Sequence, residues 1–213
     1  MIAPRRIPKT TVRRLSHYLR TLELLEDQGE ATVSSEELAH DGGTTAAQVR
    51  KDLSHFGSFG KRGMGYSVRE LLGHLRQILG VDRRWRVALV GAGRIGAALT
   101  EYPNFTRRGF DFVAVFDVDP AKVGTAMGSD VVRPLEEFES VIHDQCVDIV
   151  VLAVPADAAQ QVADRAVVAG VRGILNFAPK QLRVPKGVFL KDVSLAMELE
   201  SLSFDISRGD TDA

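Results

Sequence analysis

The sequence predicts an α/β chain in two parts, a small helical unit with a hairpin followed by a doubly wound parallel sheet. Three observations predict it. Helix-period apolar residues and capping signals fill residues 1–80. Beyond the polar boundary at Gly80 to Arg84, short apolar strands alternate with helical stretches. The first of those strands runs straight into Gly91-Ala92-Gly93-Arg94-Ile95-Gly96.

The elements follow in order. Val12, Leu15, Leu19, Leu22 and Leu25 place one apolar stripe on a helix over Thr11 to Asp27, stopped by Gly29. Ser34 with Glu37 forms a capping-box pattern before a short helix, Ser35 to His40. Asp41-Gly42-Gly43 is a turn, and Thr45 with Gln48 repeats the pattern before a helix to about Phe56. A helix, a glycine turn and a second helix make a helix-turn-helix. Gly57 to Val68 then holds four closely spaced glycines around Lys61 and Arg62, with Phe59 and Tyr66 flanking, which predicts a hairpin or "wing". A helix over Val68 to Leu79 closes this part.

In the second part strands are expected at Trp85 to Val90, Phe110 to Phe116, Val131-Val132, Val147 to Val154, Val171 to Asn176 and Val188 to Leu190. Helices are expected at Ile95 to about Phe105, Pro134 to His143, Asp157 to Ala169 and Ser194 to Ile206, before a frayed tail.

Composition bounds the function. The 213 residues are 45% hydrophobic and 26% charged, ordinary for a globular chain of two small domains. A single cysteine excludes an internal disulfide framework and a Cys-rich zinc module, and Cys146 itself reads as a core residue before a buried strand. No apolar run approaches the roughly 18–20 residues of a membrane span. Met1 to Lys9 lacks the apolar centre of a secretory signal, so the expected setting is the cytoplasm. The net charge of −1 hides an asymmetry. Residues 1–80 carry 12 Lys and Arg against 9 Asp and Glu, and residues 81–213 carry 15 against 19. A basic, helix-turn-helix first part can meet phosphate.

The glycine motif stands in its confirming context of strand, glycine turn, helix and an acid ending the next strand. Gly91 permits the tight turn, Gly93 admits a pyrophosphate to the backbone and Gly96 lets helix and strand pack closely. Phosphates would meet the helix N-terminus. Asp117, 21 residues after Gly96, can accept from ribose hydroxyls and would repel a 2′-phosphate, favouring NAD(H) over NADP(H). Arg94 adds positive charge nearby. Ala153-Val154-Pro155 follows the fourth strand and lines the same crevice. No catalytic set accompanies it: there is no Tyr-x-x-x-Lys, and His143 is the sole histidine of the second part. The chain therefore reads as a receptor for a dinucleotide rather than an enzyme using one. A small NAD-dependent oxidoreductase and a CoA- or nucleotide-binding regulator remain alternatives on the same sheet.

Over about residues 7–206 the chain resembles the Rex redox-sensing transcriptional repressors of bacteria. The resemblance rests on Gln48-Val49-Arg50-Lys51-Asp52-Leu53-Ser54, on Phe56 to Tyr66, on the glycine motif, and on Phe116-Asp117-Val118-Asp119-Pro120. Ala153 to Ala156 and Gly173 to Pro179 extend it. It implies a homodimer that binds a palindromic operator and leaves it when NADH binds, with NAD+ competing. It implies a winged-helix DNA-binding domain over 1–80, an NAD(H)-binding Rossmann domain over 81–192, and a C-terminal helix exchanged between subunits, with its tail, over 193–213. Gln48, Arg50, Lys51 and Ser54 are placed to reach the major groove, and Lys61 and Arg62 the minor groove. Arg14, Ser35, Thr45, Phe59, Gly60, Gly63 and Tyr66 complete the expected DNA-binding set. Ala92, Ile95 and Tyr102 join the cofactor set, with Tyr102 on the cofactor helix near the nicotinamide. Two departures stand out. Arg94-Ile95 replaces the family's common Asn-Leu. Ser194 stands where many members carry an Asp that pairs with the residue matching Arg14, and a neutral Ser cannot make that ion pair.

Overall fold

The computed structural model describes residues 7–60 and 64–209. The chain divides between Arg83 and Arg84 into two compact units.

In the first unit, α1 (Lys9–Asp27) buries Leu15, Tyr18, Leu19 and Leu22. The box before α2 (Ser35–Asp41) is complete: Glu37 N–H donates to Ser34 Oγ at 3.1 Å, and Ser34 N–H donates to Glu37 Oε2 at 2.7 Å. The second box is half formed. Thr45 Oγ1 caps α3 (Ala46–Ser54) by accepting from Gln48 N–H, but the Gln48 amide donates to Asp52 instead of reaching back. Helix α4 (Val68–Leu79) has the predicted span, capped by Ser67 and ended by Gly80 at φ +68°, a conformation that favours glycine. Leu38, Val49, Leu53, Leu71, Leu72 and Leu75 close the core under α1.

The expected hairpin acquires a partner strand that the sequence did not offer. Strand β2 (Tyr66–Ser67) pairs antiparallel with β1 (Thr32–Val33), which the sequence left as a connection. Strands of two residues carry no readable alternation, so only the folded chain reveals the partner. The loop between α3 and β2 does turn back tightly: a Cβ on Gly60 would lie 2.5 Å from the Gly65 carbonyl oxygen. Its tip, Lys61, Arg62 and Gly63, lies outside the described residues, as does the tail 210–213.

The second unit is a seven-stranded sheet. Its strands are β3 (Trp85–Val90), β4 (Phe110–Asp117), β5 (Ala126–Met127), β6 (Asp130–Pro134), β7 (Ile149–Leu152), β8 (Gly173–Asn176) and β9 (Phe189–Asp192). The order is β5-β6-β4-β3-β7-β8-β9, parallel except for β5 against β6. The chain moves from β3 to one side through β4 and β6, then returns to the other through β7. The switch point thus falls between β3 and β7, where such sheets bind ligands.

Helices α7 (Phe138–Asp144) and α8 (Ala156–Val168) cover one sheet face, burying Phe138, Ile142, Ala159 and Val162 against Val90, Phe116 and Leu152. A 3-10 turn, Leu135–Glu137, replaces the predicted first turn of α7. On the opposite face α5 (Arg94–Thr100) and α6 (Pro103–Arg107) leave an apolar cavity of about 320 Å³ beside Phe110, Phe112, Ile149 and Leu175. One helix over Ile95 to Phe105 was expected; it breaks before Pro103, which lacks an N–H and forces Tyr102 to an extended ψ of 107°. Cys146 is also corrected: it is exposed, at φ +47° just beyond α7.

Helix α9 (Leu195–Arg208) starts at Ser194, whose Oγ accepts from Met197 N–H. None of its residues is buried. Leu195, Met197, Leu199, Leu202, Phe204 and Ile206 are 54–71% exposed.

Candidate functional site

The crevice is built by the loops after β3 and β7. Gly91 N–H donates to the Phe116 carbonyl and Ala153 N–H to the Val90 carbonyl, both at 2.8 Å, which locks the loop bases together. At Gly91, φ is +107° and a Cβ would fall 2.3 Å from the Ala153 carbonyl oxygen, beside Val154. At Gly96 a Cβ would fall 2.3 Å from the Gly91 carbonyl oxygen. The fold itself therefore demands glycine at both positions. At Gly93 it does not. Its φ of −96° suits any residue, and a Cβ there would meet nothing within 4 Å. A glycine that packing does not require, exposed at the mouth of the crevice, leaves room for something outside the chain. This open backbone is the observation by which the residues fit a dinucleotide. Arg94 and Ile95 are exposed on the first turn of α5, where helical N–H groups have no partner within the helix. Pro155 is exposed on the facing loop.

Asp117 ends β4 with its side chain 8% exposed. Its Oδ2 accepts from Ala92 N–H at 2.8 Å and Lys122 Nζ at 3.0 Å, and its Oδ1 accepts from Asp119 N–H at 2.9 Å. Burial pushes its pKa up, but the Asp119 N–H, the Lys122 ammonium and the Ala92 N–H outweigh it, so the carboxyl sits below its ordinary range. The acid is thus a charged acceptor fixed to the glycine loop. Lys122 escaped the sequence reading; its signal was a lysine five residues beyond the acid. Tyr102 caps α6 instead of riding on α5; it is 51% exposed, and its hydroxyl accepts from Asn104 Nδ2 at 2.8 Å.

In the first unit a second buried carboxylate organises the helix-turn-helix. Asp52 on α3 is fully buried. It accepts from Arg14 Nε at 2.6 Å and Nη2 at 2.7 Å, from Gln48 Nε2 at 2.8 Å, from the Tyr18 hydroxyl at 3.1 Å and from Thr11 Oγ1 at 3.4 Å. Burial opposes its charge, and the Arg14 and Gln48 bonds more than offset that, leaving its pKa lowered. Burial and the neighbouring Asp52 push the Tyr18 hydroxyl up to about 12. The Arg14 and Gln48 side chains are thus tied to Asp52 inside the unit. Ser35 and Tyr66 are buried with their oxygens 3.4 Å apart, and the Phe59 ring stands edge-on to His74. Thr45, Arg50, Lys51 and Ser54 are exposed.

Among the described residues no group of three His, Cys, Asp or Glu side chains could hold a metal, and no helix is long and apolar enough to cross a membrane.

A glycine-turn crevice at the switch point of a parallel sheet, joined in one chain to a helix-turn-helix, defines the class of ligand-responsive transcription regulators. A family model described as "CoA binding domain" matches residues 82–180, and one described as "Putative DNA-binding protein N-terminus" matches residues 6–54. The redox-sensing transcriptional repressor Rex of Carboxydothermus hydrogenoformans is 49% identical over 203 residues, covering 95% of this chain and 98% of that protein. The crystal structure of RSP in complex with β-NAD+ and operator DNA superposes with a TM-score of 0.88 at 37% identity, covering 97% of this chain and 99% of that one. RSP in complex with β-NADH superposes with a TM-score of 0.86 at 36% identity, covering 96% of each chain. The chain belongs to the Rex family of redox-sensing transcriptional repressors.

Proposed function

We propose that this chain is a homodimeric repressor that binds a palindromic operator through residues 1–80, binds NAD(H) through residues 81–192, and leaves DNA when NADH binds. The observation that carries it is Gly93, a glycine the fold does not need, opposite an acid held by the glycine loop. The solved complexes of RSP, one with β-NAD+ and operator DNA and one with β-NADH, support the same division of labour.

Gly91 and Gly96 shape the turn, Gly93 admits the pyrophosphate, and Ala92, Arg94 and Ile95 border it. Asp117 takes a ribose hydroxyl, and Ala153, Val154 and Pro155 form the opposite wall. NADH and NAD+ differ at the nicotinamide ring by one charge and by planarity. A repressor responds to that difference only if its DNA-bound and released conformations bind the two forms unequally. Ser194 cannot carry the family's charge pair, and Arg14 is tied to Asp52, so the coupling here does not use that ion pair.

On the DNA side, Thr45, Arg50, Lys51 and Ser54 present the exposed face of α3 to the major groove. Lys61 and Arg62 supply the wing contacts. Arg14, Gln48, Ser35, Phe59 and Tyr66 act from behind as the support that holds α3 and the wing. The apolar face of α9 supports its exchange between subunits, since a helix this apolar is stable in water only when covered. The reading places the protein in the cytoplasm.

The test is a gel shift of palindromic DNA titrated with NADH and with NAD+. NADH should release the DNA and NAD+ should not. An equal response to both, or none, overturns the sensor reading.

A further inference from the structure

We propose that Lys122 is a selectivity-determining residue of the dinucleotide crevice, moderating the repulsion that Asp117 exerts on a ribose 2′-phosphate. The inference deepens the reading above and rests on it.

A carboxylate offers about four acceptor positions. Among the described residues three donors occupy those of Asp117: the N–H groups of Ala92 and Asp119 and the Lys122 ammonium. The two N–H groups are fixed by the backbone. Only Lys122 reaches the acid on a flexible stem, and its side chain is 39% exposed against 8% for Asp117. The turn that carries it is itself pinned: Ala121 N–H donates to Asp119 Oδ1 at 3.0 Å, and Lys122 N–H to the Asp119 carbonyl at 2.9 Å. The ammonium lies at the acid, 3.0 Å from Asp117 and 3.9 Å from Asp119.

The corner at the end of β4 consequently holds an acceptor and a cation side by side. A ribose 2′-hydroxyl can donate to Asp117 and accept from Lys122. A 2′-phosphate meets Asp117 with a cation beside it, so the acid rejects it less strongly than its charge alone would. Lysine suits this role because it binds phosphate as a point charge. Removing the cation should cost the ribose of NADH one hydrogen bond and cost a 2′-phosphate its neutralising charge as well, so NADPH should weaken more than NADH.

The experiment is calorimetric titration of the full-length protein with NADH and with NADPH, for the unsubstituted chain, Lys122→Met and Lys122→Arg. Loss of one unit charge a few ångströms from a phosphate should weaken NADPH relative to NADH about tenfold in Lys122→Met. Lys122→Arg, which keeps the charge, should stay within about threefold of the original ratio. An unchanged ratio in Lys122→Met overturns the inference alone, and so does Lys122→Arg behaving like Lys122→Met. Failure of the unsubstituted chain to bind NADH overturns both this inference and the cofactor reading.

Discussion

Gly93 and Gly96 sit three residues apart and answer to different constraints. At Gly96 an added methyl would run into the Gly91 carbonyl, and at Gly93 it would enter open space. Gly96→Ala should therefore destabilise the second unit by roughly 1–3 kcal/mol, as overpacking does. Gly93→Ala should move stability by less than about 0.5 kcal/mol, as at an open surface site, while weakening NADH binding. Urea denaturation and NADH titration of the two variants separate these effects. Asp52 gives a residue-scale prediction in the first unit. Removing one member of a buried ion pair costs about 3–5 kcal/mol, so Asp52→Ala should strongly destabilise the helix-turn-helix. The pH dependence has a definite sign. A carboxyl whose folded pKa is lowered contributes stability that is present above its unfolded pKa, about 4, and is lost as pH falls through the folded value. The stability gap between the natural chain and Asp52→Asn should hence narrow below about pH 4. Thermal melts across pH check it. The residue chemistry was legible unevenly. The glycines and Asp117 announce themselves by spacing. Lys122 and the Asp52 cluster do not, because their partners lie in other elements or on the far side of a turn.

Among the elements, those with caps or apolar runs were readable and the two-residue strands were not. Helix α4 has the predicted span because a serine cap, an apolar stripe and a terminal glycine all agree. Strand β3 likewise runs from Trp85 to Val90 as expected. The wing strand β2 has an additional partner in β1 that the sequence did not offer, because two-residue strands are chosen by what lies next to them in space. The break between α5 and α6 was legible in principle, since Pro103 excludes a continuous helix. Helix α9 carries the element-scale prediction. Its six exposed apolar side chains have no cover within the described chain, so Leu199→Asp with Leu202→Asp should convert the proposed dimer to monomer with little loss of helix. Sedimentation and far-ultraviolet circular dichroism would check both. A monomeric natural chain contradicts the exchanged-helix reading.

For the whole molecule, a net charge of −1 says little, and its distribution says much. The basic half carries the helix-turn-helix, so operator affinity should fall steeply with salt as counterions are released. About six phosphate contacts would correspond to a loss of roughly a thousandfold between 50 and 200 mM salt. A flat salt profile would contradict phosphate-anchored binding. Asp117→Ala should lower the NADH response while leaving operator binding in the absence of ligand intact, since the acid lies in the other unit. By itself the sequence determined the two-part architecture, the parallel sheet, the glycine turn and the acid that faces it. Local periodicity and steric demands write those features into consecutive residues. Only the tertiary structure decided that Arg14 is bound to Asp52, that β1 pairs with the wing strand β2, and that Lys122 stands against Asp117. The first two join residues far apart in the chain, so their energies exist only once the packing brings the partners together. The last depends on the course of a turn, which periodicity does not encode.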